Sequence, residues 1–212
     1  MDWKEIACQL QGREPGLMDA SSRYAVLVPL VEREDGVYVL YEVRSASLRR
    51  QPGEVCFPGG RMEPGESPEQ CALRETGEEL GISVDEIEVL GRLDFIAHRA
   101  NFIMYPVLAR TPKKLLSQMK PNPAEVGETF LVPVDYLLDN PPQEYTYSLI
   151  PDTPEDFPYE LIGIPKDYRW QRGGETVPVY PWPGHTIWGL TGRITRHLTG
   201  WLEKWQRCTP NN

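Results

Sequence analysis

Apolar, β-branched and aromatic residues crowd two early runs, Tyr24 to Val31 and Val37 to Val43, and the Glu34-Asp35-Gly36 break between them predicts a hairpin. Pro29 inside the first run predicts an edge or a bulge, because proline brings no N–H to a ladder. Two further runs, Ile87 to Ile96 and Phe102 to Ala109, read as strands linked through His98-Arg99-Ala100-Asn101, and Thr129 to Val132 reads as another. A helical period appears in three places. Residues 3 to 10 predict a short helix that ends in the Gly-Pro-rich break from Gly12 to Gly16. Ile187, Leu190, Ile194, Leu198, Trp201, Leu202 and Trp205 predict an amphipathic terminal helix over 186–206, whose tryptophans read as core.

The third helix is bounded most sharply. Ser67 is its predicted N-cap, Pro68 its first residue, Gln70 the partner in a capping box and Gly81 the stop. At about 100° per residue, Leu73, Thr76, Gly77 and Leu80 share one side, and Glu75, Glu78 and Glu79 are expected to project from the other. Three carboxylates within about one turn cost a few tenths of a kcal/mol per like-charged pair, and two of them lie at the negative end of the helix dipole. A bound divalent cation reverses the sign of that cost, since Mg²⁺ and Mn²⁺ accept hard oxygen ligands. The alternative is a solvated acidic face.

Connectivity of strands and helices predicts a mixed α/β (α+β) fold, and 212 residues suit one domain with insertions. Residues 22–138 form the expected core. Between Asp139 and His185 come nine prolines interleaved with aromatics. The runs Tyr145 to Ile150 and Tyr159 to Ile164 make this an ordered insertion in expectation, either walling a substrate pocket or serving as a packing or homodimer element.

A net charge of −9 argues against nucleic acid or an anionic membrane as partner. A small anionic substrate would need local cations. Cys8, Cys56, Cys71 and Cys208 show neither CxxC nor zinc spacing, which fits reduced thiols. No run has the length of a signal h-region or a membrane span, and the final Thr-Pro-Asn-Asn is not a peroxisomal tripeptide. The expectation is a cytoplasmic protein.

Gly60, five residues, Glu66, seven residues, then Arg74-Glu75-Thr76-Gly77-Glu78-Glu79-Leu80-Gly81-Ile82 resembles the Nudix box, departing from it only at Thr76, where an aliphatic residue is commoner. Upstream, Arg44-Ser45, Arg49, Gly53 and Phe57-Pro58-Gly59-Gly60 resemble the motif of the coenzyme A diphosphatase branch of the Nudix hydrolases. Ile187 to Thr191 is similar to that branch's C-terminal region. The resemblance implies the Nudix fold, a mixed sheet sandwiched between helices. It also implies hydrolysis of the diphosphate of coenzyme A or acyl-CoA to 3′,5′-ADP and 4′-phosphopantetheine or its acyl form. By the same resemblance Glu75, Glu78 and Glu79, with the Gly59 carbonyl, hold Mg²⁺ or Mn²⁺. Arg74 orients these carboxylates, and Glu66 pairs with Arg74 or backs the metal through water. Arg44 and Arg49, with Gly59 and Gly60, are the substrate-binding candidates. In Nudix relatives a carboxylate outside the box completes the metal site or acts as base, and Glu125, with Glu128 beside it, is the candidate here; solvated loop acids are the alternative. His98 is the one histidine placed to meet a phosphate. Other readings stay open: a diphosphatase for ADP-ribose or NADH, or a ligand-sensing module without catalysis.

Overall fold

The computed structural model describes residues 2–13 and 16–208. Residues 14 and 15 of the expected Gly-Pro-rich break, and the terminal Thr-Pro-Asn-Asn, lie outside the described residues. In chain order the elements are α1 (Trp3–Leu10), β1 (Ser22–Arg33), β2 (Gly36–Arg44), β3 (Val55–Cys56), β4 (Gly59–Arg61), α2 (Pro68–Leu80), β5 (Glu88–Arg92), β6 (Ile96–His98) and β7 (Phe102–Arg110). There follow α3 (Lys113–Leu116), β8 (Val126–Pro133), α4 (Val134–Asp139), β9 (Gln143–Leu149), β10 (Gly173–Trp182), β11 (His185–Ile187) and α5 (Gly189–Cys208). They gather into two compact units, Met1–Leu30 with Pro58–Asn122 and Val31–Phe57 with Pro123–Asn212. Strand β1 passes from the first into the second after Leu30.

The first unit is built on a mixed sheet. Strand β7 runs parallel to β1, in unbroken register from Ser22↔Phe102 to Leu30↔Arg110. Strand β4 pairs antiparallel with the other edge of β1 at Tyr24 to Val26, and β5 and β6 pair antiparallel with β7. Pro29, opposite Ala109, is therefore in no bulge of the β1–β7 ladder. Leu27, two residues earlier, turns its N–H away from β7 to donate to the Pro58 carbonyl, so by strand alternation the N–H that Pro29 lacks also falls on the side away from β7. The run Ile87 to Ile96, expected as one strand, is two. Its register shifts between Val89 and Gly91, where Gly91 has φ 155°.

Helix α2 starts and stops at the expected residues. The Ser67 side chain accepts from the Gln70 amide, Gln70 reciprocates, and Gly81 closes the helix in the left-handed region at φ 62°. Its faces differ from the expected division. The helix packs against β4 and β7 through Cys71, Ala72, Thr76, Glu79 and Leu80, so the buried stripe is rotated and takes in Glu79, which is only 8% exposed.

In the second unit β2 is flanked by β3 and β8, both antiparallel. One face is aromatic: Tyr41 is fully buried between Phe57 and Phe130, with ring centroids at 4.9 and 5.5 Å. Tyr41 and Thr195 of α5 share a hydrogen bond of 3.0 Å. Helix α5 begins after Ile187, which belongs to β11, and buries Thr191, Gly192, Ile194, Thr195, Leu198 and Thr199. The small and hydroxylated residues form the packed stripe, leaving Trp201 and Trp205, expected in the core, 50% and 58% exposed. The Pro-rich segment carries the ordered sheet β11-β10-β9. Within it Tyr159 to Ile164 is a run of turns, closed by the Ile164 N–H on the Tyr159 carbonyl. Among the described residues no helix is long and apolar enough to cross a membrane.

Candidate active site

Seven of the residues singled out by spacing meet in the first unit, on β4, on the loop after it and on α2. Gly59 and Gly60 are there because nothing larger fits. At Gly59, with φ 153°, a Cβ would strike the Ala25 carbonyl and Val26; at Gly60 it would strike the Glu75 carboxylate. Absence of a side chain at Gly60 thus lets the β4 backbone lie directly against the Glu75 carboxylate of α2.

Arg74 lies at the centre of the charges. Its Nε and Nη2 donate to the two oxygens of Glu66 at 2.9 and 3.1 Å, Nη1 donates to Glu75 at 2.9 Å and to Glu78 at 3.5 Å, and Nη2 also reaches the Arg61 carbonyl at 3.3 Å. Such a planar fork suits several carboxylates at once. The Arg74 bond holds the Glu66 carboxyl below its ordinary range, and the Glu63 amide adds to this. The Glu66 and Glu75 bonds raise the already high pKa of Arg74. Glu79 is buried without being stranded, since its Oε2 accepts the Gly59 N–H at 2.8 Å. Glu78 stands out from this group, with its side chain 61% exposed.

The donor set of Glu75, Glu78, Glu79 and the Gly59 carbonyl is all hard oxygen, and the missing Cβ atoms of β4 leave room for it, so these residues fit a small divalent cation. Among the described residues no three His, Cys, Asp or Glu side chains are already grouped to hold an ion by themselves.

The remaining candidates apart from His98 belong to the second unit. Arg44 closes a loop: its N–H donates to the Glu54 carbonyl at 2.9 Å and its carbonyl accepts from Gly53 at 3.0 Å, with Arg49 exposed in between. Glu125 is next to this loop through the Ser45 N–H, which donates to its carbonyl at 2.8 Å. Both Glu125 and Glu128 are exposed, and Glu128 lies 3.9 Å from His185, whose ring stacks on Phe130. His98, in the first unit, stacks on Phe102 at 4.4 Å and accepts the Ala100 N–H on Nδ1, so its ring helps shape the β6–β7 turn.

Pattern reading passed over Glu42. It is 2% exposed, and burial pushes its carboxyl up to about 7, opposed by Cys56 and Arg44 and reinforced by Glu125. The signal was present in the alternation of β2. Glu42 is two residues after Leu40, and therefore on a face that Leu40 buries.

A NUDIX domain family model matches residues 21–151. The chain belongs to the Nudix family. Similar relatives include Nudix hydrolase 3 of Caenorhabditis elegans, 41% identical over 57% of this chain and 51% of that one. A peroxisomal coenzyme A diphosphatase of Mus musculus is 38% identical over 65% and 57%, and a mitochondrial coenzyme A diphosphatase of Homo sapiens is 34% identical over 90% and 75%. The chain thus spans little more than half the length of the first two relatives.

Proposed function

We propose that this chain hydrolyses the diphosphate of coenzyme A or acyl-CoA, releasing 3′,5′-ADP and 4′-phosphopantetheine or its acyl form, with Mg²⁺ or Mn²⁺ bound. The supporting observation is the cluster on β4 and α2, with Arg74 tying Glu66, Glu75 and Glu78 together and Glu79 tied to Gly59, in a chain whose relatives include coenzyme A diphosphatases. The family match draws residues from both units, which supports one functional domain.

In this reading Glu75, Glu78, Glu79 and the Gly59 carbonyl hold the cation. When bound, it polarises phosphoryl oxygens and acidifies water. Arg74 keeps the carboxylates in place and touches no substrate. Arg44 and Arg49 supply bidentate phosphate contacts that an acidic chain otherwise lacks, and Glu125 takes the proton of the attacking water. Four cysteines without disulfides support a cytoplasmic setting, although the two mammalian relatives carry peroxisomal and mitochondrial names.

A substrate panel followed by product chromatography tests this. Coenzyme A should exceed ADP-ribose and NADH by at least about tenfold in kcat/KM, about 1.4 kcal/mol of transition-state binding. Faster cleavage of ADP-ribose or NADH under both metals moves the substrate assignment and leaves diphosphate hydrolysis standing. No cleavage of any diphosphate turns the reading into a binding module.

A further inference from the structure

The face of β2 opposite Tyr41 carries a buried carboxyl that the reaction as proposed does not use. Glu42 accepts the Cys56 thiol on Oε1 at 3.2 Å across the β2–β3 pair, while Oε2 is buried with no hydrogen-bond partner among the described residues. Arg44 is two residues further on, on the same face of the strand, and its Nε is likewise buried without a partner. Among the described residues only a long contact of 3.4 Å, from Nη2 to the Arg50 carbonyl, holds its fork. A donor and an acceptor of opposite charge, both removed from water and both unpaired, are costly to keep. They are complementary to each other.

We propose that Glu42 is a positioning residue for Arg44: the two are not hydrogen-bonded among the described residues, and when substrate binds the carboxylate takes the Arg44 Nε–H, which turns both terminal nitrogens of the fork toward the phosphate. Cys56 fixes the other oxygen, so the carboxylate is held against rotation. The inference rests on the reading of Arg44 as a phosphate ligand. Mutual influence of the two groups is visible in the titration of Glu42, which the Arg44 charge lowers against burial and the Glu125 charge.

The test is a cycle of Glu42→Gln, Arg44→Ala and the double variant, read as KM and kcat on coenzyme A and as Kd for 3′,5′-ADP by calorimetry. Glu42→Gln should raise KM and Kd about fivefold or more with kcat within about twofold, and the double variant should match Arg44→Ala alone, because one residue acts through the other. Glu42→Asp, which keeps the charge on a shorter arm, should fall between wild type and Gln, and it carries the test if the Gln variant does not fold. An effect of Arg44→Ala with unchanged KM and Kd in the Glu42 variants, or effects that multiply in the double variant, overturns the positioning role alone. If Arg44→Ala leaves both constants unchanged, the phosphate assignment of Arg44 falls, and Glu42 loses its role with it.

Discussion

Arg74 is a single residue that reconciles an acidic helix face with a folded protein, and its neighbours separate charge from structure. Glu78 is mostly exposed. Glu78→Gln should lower turnover at least about a hundredfold while stability stays within about 0.5 kcal/mol of wild type, as steady-state kinetics and urea titration will show. Glu79 differs because it holds the Gly59 N–H. Glu79→Ala should lose turnover and also about 1–3 kcal/mol of stability, the cost of a buried amide left unpaired. Spacing alone put Glu79 on the solvent side, where removing its charge would stabilise; its burial reverses that expectation. Glu42 gives a pH dependence of definite sign. Its carboxyl titrates at 4.5 ordinarily and at about 7 in the fold, so between those values the unfolded chain releases a proton that the folded chain retains. Stability should therefore fall as pH rises from about 4.5 to 7. In Glu42→Gln that part of the slope should vanish, and the Tm by calorimetry at pH 8 should exceed wild type. The groups acting on Glu42 are Cys56, Arg44 and Glu125, and all three are retained in the variant.

Among the elements, legibility followed local chemistry. The ends of α2 were readable because Ser67, Pro68, Gln70 and Gly81 each act on their own backbone, and Ser67→Ala should cost about 1 kcal/mol in urea titration with kcat unchanged. Which face α2 buries depends on β4 and β7, and no rule within the helix contains them. In the same way α5 presented tryptophans at helical spacing, yet its packed stripe is Thr191, Gly192, Thr195 and Thr199 with Ile194 and Leu198. Small residues win there because β10 comes close: a Cβ at Gly192 would meet the Pro178 carbonyl. Strand β10 itself was unreadable, since Pro178 and Pro181 argue against a strand, although the ladder with β9 accommodates Pro178 opposite Glu144. The box and its upstream motif were legible as chemistry from Gly60 to Ile82 and from Arg44 onward. The partnership of Glu79 with Gly59 was not, because it links residues 20 positions apart through a backbone amide.

For the whole molecule, the chain does not complete one unit before starting the next. It lays down β1, leaves for β2 and β3, returns for α2 and β7, and departs again at Pro123. Either unit is therefore made of two separated segments, and a chain ended before Pro58 keeps only the first segment of each. The parallel pairing of β1 with β7 has a further consequence, which concerns time. Ser22 is joined in register to Phe102, 80 residues later, and at a synthesis rate of about 5–20 residues per second the apolar run from Ala25 to Leu30 waits about 4–16 s for its partner. A nascent chain on the ribosome thus carries a sticky, half-made sheet edge for seconds, long enough for chaperone capture or for pairing with a neighbouring nascent copy. The yield of native protein should depend on how fast residues 102–110 are translated as well as on how stable the finished fold is.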